Sequence, residues 1–318
     1  MRGQSHVAKT KFAFSLNMTT HSICRSPQTA LAFVSRLEAT KSSNFETFLS
    51  HIDNCDMLSL RPTALDLISL TDPHTKASAV RALPESLANL SLNSAQVLLE
   101  PASVPGRPAR PVLLPAREMP QRSVGTPEGH AGLIHSLVHI ECNAVDLALD
   151  VIWRFAGMPP VFYGDWLRVA REEALHFQLL VEHLHSLGHA YGDFEAHDGL
   201  WHMAHKTRGD LLARMAIVPR TLEARGLDAS PAVQSKLVSV GDHRAGAILE
   251  IILRDEIGHV AVGNHWYRWL CSQQGLEPIS HYQELAKQYA PPKLRGPFNL
   301  PARRAAGFVE AELELLGR

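Results

Sequence analysis

Apolar positions recur every three or four residues through much of this chain, and that spacing predicts helices rather than strands. Ile134, Leu137, Val138, Val145, Ala148 and Ile152 trace one run. It opens on Thr126-Pro127-Glu128 and stops at GMPP, residues 157–160. The opening offers a hydroxyl cap, a proline in the first turn and an acid near the positive end of the helix dipole. A second run extends from Val161 to Leu187 and ends at Gly188. A third starts near Leu200 and passes through DLLARMAIVPRTLEA; Pro219 should bend it, and RGLDASP (225–231) should interrupt it. The fourth, RAGAILEIILRDEIGHVAVGNHWYRWL, is unbroken. No segment reads as a strand, so the predicted fold class is all-α.

Outside these four runs the pattern weakens. RPTALDLISL and ASAVRALPESLANL predict one or two helices over 61–98, and shorter helices are expected at 279–289 and 301–316. Between them, the proline density of 99–125 forbids a regular helix and favours an extended arm packed over a surface rather than a lid. The expected organisation is a poorly ordered leader (1–60), N-terminal helices (61–98), the arm (99–125), a helical bundle (126–275) and C-terminal helices (276–318). The first 37 residues hold no acid but carry Arg2, Lys9, Lys11, Arg25 and Arg36. That composition resembles a transit peptide but lacks an amphipathic stripe, so a disordered leader is expected, with Met18 or Met57 as alternative starts.

Two of the apolar runs place acids and imidazoles where a core should be. EEALHF (172–177) sets Glu173 three residues before His176, and RDEIGHV sets Glu256 three before His259. On a helix each pair lies on one face. Spacing of this kind arises by chance in a chain with 18 histidines, and Glu182–His185 is a third copy. A longer repeat adds weight: Glu141 lies 32 residues before Glu173, and Glu223 lies 33 before Glu256. In an antiparallel helical hairpin, residues at one height are equidistant from the turn. The two midpoints fall at Gly157 and beside Gly241, both turn formers.

Glu141, Glu173, His176, Glu223, Glu256 and His259 are therefore expected at one level of two hairpins. One Glu from each of two helices and Glu-x-x-His from the other two is the ligand pattern of di-iron and di-manganese carboxylate bundles. Carboxylates balance and bridge hard cations, and imidazoles add neutral, directional ligands. Without metal, four carboxylates in an apolar interior would have to take up protons. Glu172 and Asp255, each preceding a ligand glutamate, are placed to accept from the histidine of the opposite helix: Asp255 from His176, Glu172 from His259. The third copy fails on geometry. Glu182 is nine residues beyond Glu173, ~13 Å along the axis and on the opposite face. It, His202 and His205 are expected at the surface or in an outer layer, and His139 in the core or at the surface.

Composition changes the picture little. The 318 residues carry a formal charge of −1, which supplies no global field for nucleic acid or membranes, although a local basic patch remains open. Arg154, Arg168, Arg171 and Arg214 are read as surface arginines, with an anionic or tRNA substrate as the alternative. No uncharged run nears the ~20 residues that span a bilayer. Cys24, Cys55, Cys142 and Cys271 form no CxxC pair, so a reduced, cytoplasmic setting is expected.

The segments HIECNAVDLALDVIWRFAGMP, DWLRVAREEALHFQLL, GDHRAGAILEIILRDEIGHVAVG and RGPFNLPARRAAGF resemble the bacterial ferritin-like family catalogued as domain of unknown function 455. The resemblance spans residues 62–316. It implies a ferritin-like four-helix bundle, with all six ligand positions present, and a distant relation to the di-iron tRNA hydroxylase acting on methylthio-isopentenyl-adenosine. The leading expectation is an O₂-dependent di-iron oxidase or hydroxylase holding two iron ions, with Mn or mixed Mn/Fe as variants. Glu173 and Glu256 would bridge. Its substrate would be a small molecule or a modified nucleoside, and it would need an external electron donor. Metal handling, peroxide or ferroxidase activity, and a non-enzymatic protein with a structural dimetal site are the alternatives.

Overall fold

The computed structural model describes residues 58–316. The leader, with Cys24, Cys55 and the alternative starts, lies outside them. Among the described residues every named element is helical, and strand-like pairing is limited to two isolated bridges, Ser59–Ser91 and Leu113–Ala196. No helix among them is long and apolar enough to cross a membrane.

Helices α1 (Leu60–Ser69) and α2 (Pro73–Ala82) come first. The sequence suggested that the second could run on through PESLANL. It stops at Ala82 because Leu83 precedes a proline and turns extended, with ψ 147°. The bundle begins with α3 (Pro127–Arg154), whose first turn is closed by Thr126 Oγ1 accepting from Gly129 N at 3.1 Å. After a turn through Gly157, whose φ of 81° a side chain would strain, α4 (Pro160–Ser186) returns along it. These two helices form the most extensive helix pair in the molecule.

The third predicted run is where sequence and structure differ. It divides into α5 (Gly199–Lys206), α6 (Leu211–Ile217), one turn of π-helix (Val218–Glu223) and α7 (Ala224–Ser239). Pro219 sits in the π-turn, where a five-residue hydrogen-bond spacing absorbs its missing N–H. RGLDASP does not interrupt the helix. Pro231 leaves the Leu227 carbonyl without its helical donor, and Asn299 Nδ2 donates to it at 3.2 Å. Arg303 grips Asp228 at 2.6 Å in the same place. The partners that keep this segment helical thus come from some 70 residues downstream.

After a turn at Gly241 (φ 88°), α8 (His243–Gln274) returns along α7 and also packs on α4. The π-turn approaches α8 at Gly263, where a Cβ would lie 2.6 Å from that of Pro219. Helix α9 (Pro278–Tyr289) packs on α6, and α10 (Leu300–Ala305) on α7 and α8. A short α11 (Glu310–Leu313) follows. The core joins α1–α4 to α8 through large buried side chains such as Trp153, Phe162, Trp166 and Phe177.

Residues 99–125 are extended apart from a short 3-10 turn, Ala116–Glu118. They are tied down by backbone bonds: Gly106 N to Ile68 O at 2.8 Å, and Leu114 N to Ala196 O at 2.8 Å. Buried Lys76 donates to Gly106 O at 3.1 Å.

Candidate metal centre

Antiparallel pairing of α3 with α4 and of α8 with α7 brings five of the six candidate residues into one contiguous cluster, with Glu223 outside the ligand-distance contacts. Glu141, Glu173, His176 and Glu256 offer ligand atoms that all lie within 4.8 Å of one another. Glu173 stands between the two imidazoles. Its Oε2 is 3.2 Å from His176 Nδ1, and its Oε1 is 2.9 Å from His259 Nδ1. Glu141 Oε2 lies 3.3 Å from His176 Nδ1, and Glu256 Oε1 lies 3.6 Å from His259 Nδ1. The ring centroids are 5.8 Å apart. Glu223, at the end of the π-turn, makes no hydrogen bond or ion pair among the described residues; Glu256, Glu173 and His259 are the leading charges around it.

Both imidazoles turn Nδ1 inward and Nε2 outward. His176 Nε2 meets Asp255 Oδ2 at 3.1 Å, and His259 Nε2 meets Glu172 Oε2 at 2.8 Å. Burial raises Asp255, but the His176 hydrogen bond and then Arg254 outweigh it and hold the carboxyl well below its usual range. An ionised Asp255 can only accept, so His176 Nε2 carries a proton and the tautomer is set from outside the cluster.

The inner face is short of partners. Glu141 Oε2, Glu223 Oε2 and His259 Nδ1 are sealed from solvent and have no aligned hydrogen-bond partner. His259 Nδ1 lies within 2.9 Å of a carboxylate oxygen and is still not aligned with it. Buried polar atoms are nearly always satisfied, and leaving one bare costs ~1–3 kcal/mol. Three of the six candidate residues thus carry a buried ligand-type atom without an aligned partner, as do a few side chains elsewhere, among them His135 and Arg220.

Burial, then Glu173, pushes Glu141 far up; burial, then Glu256, does the same to Glu223; burial and Glu173 raise Glu256. Burial also acts against ionised Glu173, but His259 and His176 overcome it and hold Glu173 far down. Burial disfavours a charged His176, yet its hydrogen bonds to Asp255 and Glu173 and the adjacent Glu141 carboxylate lift it to about 12. His259 is raised against burial by Glu173 and Glu172. Without metal, protons hold the centre together. Among the described residues no Lys or Arg lies within ion-pair distance of any of the six.

The walls above and below are apolar and buried: Val138 and Val145, Val169 and Phe177, Leu249 and Val260. The remaining predicted residues fall elsewhere. Glu182, His185, His202 and His205 are exposed. His139 is buried against Tyr191 and Asn143. Arg214, expected at the surface, is instead 1% exposed and bound to Asp150 at 2.5 Å. Arg154 shares that aspartate, and Arg171 donates to the backbone of Arg81. The surface reading of Arg154 and Arg214 overlooked Asp150, a buried counter-charge on α3, whereas Arg168 is exposed as expected. Cys142 is half-buried, and burial raises its thiol to about 11.

A family model described as "Protein of unknown function (DUF455)" matches residues 69–314. The chain belongs to that family. A relative from Haemophilus influenzae (strain ATCC 51907 / DSM 11121 / KW20 / Rd), described as an uncharacterized protein, is 50% identical over 214 residues, covering 65% of this chain and 74% of the relative. No solved structure matches. The family description assigns no chemistry.

Proposed function

We propose that this DUF455 protein is a ferritin-like, carboxylate-bridged dimetal oxidoreductase that binds two iron ions, with Mn or a mixed Mn/Fe pair as variants. One observation carries the reading: Glu173 presents one oxygen to each imidazole Nδ1, beside three buried ligand atoms that nothing satisfies. The donor set fits the group. Four carboxylates balance two divalent cations, and each imidazole contributes one inward nitrogen.

In this reading Glu173 would hold both metals. Glu141 and His176 would hold one and His259 the other, with Glu256 within reach of both groups. Glu223, at the end of the π-turn, would add a further carboxylate from the α7 side. Bound iron would supply redox chemistry with O₂ acting on a C–H bond of a small molecule or modified nucleoside, fed by an external electron donor. The chain's own contribution is to hold and orient. Asp255 and Glu172 lock the ring tautomers so that Nδ1 is free to ligate. The valine, leucine and phenylalanine walls exclude water and strengthen every charge interaction within.

A dimetal site without a substrate is the second reading, and the burial of the ligands favours it. The cavity bordering α3 is lined by residues such as His139, Cys142 and Asp146, and the one bordering α8 by Asn264, His265 and Arg268; none is a candidate ligand. Anaerobic reconstitution with Fe(II), followed by metal counting and exposure to O₂, separates the readings. Two irons per chain, with O₂ consumed and an oxo-bridged absorption band, is the outcome expected of the oxidoreductase. Two irons inert to O₂ would leave the structural site, and a single zinc indifferent to O₂ would remove the dimetal reading.

A further inference from the structure

The histidine-rich stretch that failed as part of the first centre takes part in a second cluster. His183 is seven residues beyond His176, two helical turns or ~10 Å along α4. Its Nε2 lies 2.7 Å from Asp242 Oδ2, and His130 Nε2 lies 2.6 Å from the same oxygen. The three ligand atoms are all within 4.8 Å of one another. They come from three elements: the first turn of α3, the last turn of α4 and the residue capping α8.

The carboxylate is aimed by the fold. Asp242 Oδ1 accepts from Ala245 N at 2.9 Å and caps α8, which leaves Oδ2 for the imidazoles. No Lys or Arg among the described residues pairs with it; nearby Arg244 pairs with Glu182 instead. The His183 and Asp242 side chains are 5% and 6% exposed, whereas that of His130 is 18% exposed. The cluster is therefore closed on the bundle side and open on one edge, where water can complete a coordination sphere.

We propose that His130, His183 and Asp242 form a second, mononuclear site for a divalent transition metal of the zinc class, separate from the dimetal centre. Two imidazole nitrogens and one carboxylate oxygen with an open position are a recognised donor set for such ions. A metal here ties the far ends of the α3–α4 hairpin to the turn of the α7–α8 hairpin, so binding stabilises the bundle by mass action. The competing arrangement is metal-free, with both rings donating Nε2–H to Asp242 Oδ2.

The test uses the full chain carrying Glu173→Ala and His176→Ala, which removes the first centre whatever its function. This protein is titrated with Zn(II) against a chromophoric chelator and with Co(II) for visible spectra. One equivalent should bind, with the Co(II) spectrum of a nitrogen–oxygen site, and Zn(II) should raise the melting temperature. Adding His130→Ala or Asp242→Asn should weaken binding at least tenfold and abolish the thermal shift. His130 lies on an exposed first turn, and asparagine retains an oxygen for the Ala245 N–H, so both variants keep the fold. No metal bound by the double variant, or affinity unchanged by His130→Ala and Asp242→Asn, would overturn the proposal. Neither result bears on the dimetal reading.

Discussion

Asp150 and Glu223 are both acids inside the bundle, and they are treated in opposite ways. Asp150 is fully buried, and both its oxygens are taken: Oδ2 by Arg214 at 2.5 Å and Oδ1 by Arg154 at 2.8 Å. The same holds for Glu312 with Arg220 at 2.6 Å and Arg268 at 3.0 Å, and Asp146 pairs through Oδ1 with Lys76 at 2.6 Å. Glu223 Oε2 has no hydrogen-bond partner; the acids Glu256 and Glu173 act on it more strongly than the cationic His259 and Arg214. A buried charge that serves the fold arrives with its counter-charge, because breaking such a pair is expensive. The acids around Glu173 have no Lys or Arg within ion-pair distance; their nearby cationic groups are the raised imidazoles of His176 and His259, which on the proposed reading give up their inward protons to a metal.

The sharpest way to break that comparison is at Glu173, the acid within ion-pair distance of both inward nitrogens. Glu173→Ala should reduce bound metal from two equivalents to none at the first centre, measured by metal analysis after reconstitution. Two equivalents retained there would mean that Glu173 is not the bridge. The opposite region should respond in stability instead. Asp150→Ala strands Arg214 in the interior and should cost about 3–5 kcal/mol, read from urea unfolding, with metal content unchanged. A loss under ~1 kcal/mol would show that Arg214 finds solvent.

The difference between these regions also marks what the sequence could show. Helices α3, α4 and α8 were legible because their apolar spacing is local and their turns carry Gly157 and Gly241. The level of the two hairpins was legible because equal spacing about a turn is arithmetic. Helix α7 was not, since Gly226, Asp228 and Pro231 read as a break. What keeps it helical is Asn299 on the Leu227 carbonyl and Arg303 on Asp228, contacts that no local window contains. The His183 cluster was missed for the same reason. Its partners His130 and Asp242 stand 53 and 59 residues away, and only tertiary packing brings them together. The central position of Glu173 needed coordinates too, because periodicity places a residue on a face without saying which oxygen meets which ring.

A smaller effect should come from the outer carboxylates. Asp255→Ala frees the His176 ring to turn and removes the acceptor that fixes its tautomer. Metal affinity at the first centre should fall by ~10–100-fold, with stoichiometry still reaching two at high metal, as followed by competition titration. Glu172→Ala should act alike through His259. Unchanged affinity in both variants would mean that the rings are held by packing alone.

The smallest expected effect has the opposite sign to the usual mutation. In chelator, Glu223→Gln should stabilise the protein by about 0.5–2 kcal/mol near pH 8, because a neutral amide no longer opposes Glu256 and Glu173. The sign follows from linkage. Burial and Glu256 raise the folded-state pKa of Glu223, so folded and unfolded chains hold the same proton below pH ~4.3. Above that the unfolded chain ionises first and the wild type loses stability as pH rises. His176, lifted to about 12, adds to the slope: from near pH 6.5 upward the unfolded chain gives up this proton while the folded chain holds it, so stability falls as pH rises. The advantage of Glu223→Gln should therefore vanish near pH 4 and grow toward pH 8, while the His176 slope remains in both proteins. Loaded with metal, the order should reverse, because the cation neutralises Glu223 and the amide is the poorer ligand. Melting curves with and without chelator at three pH values would show it. A variant less stable than wild type in chelator at pH 8 would mean that Glu223 already has a partner, and the contrast with Asp150 would be lost.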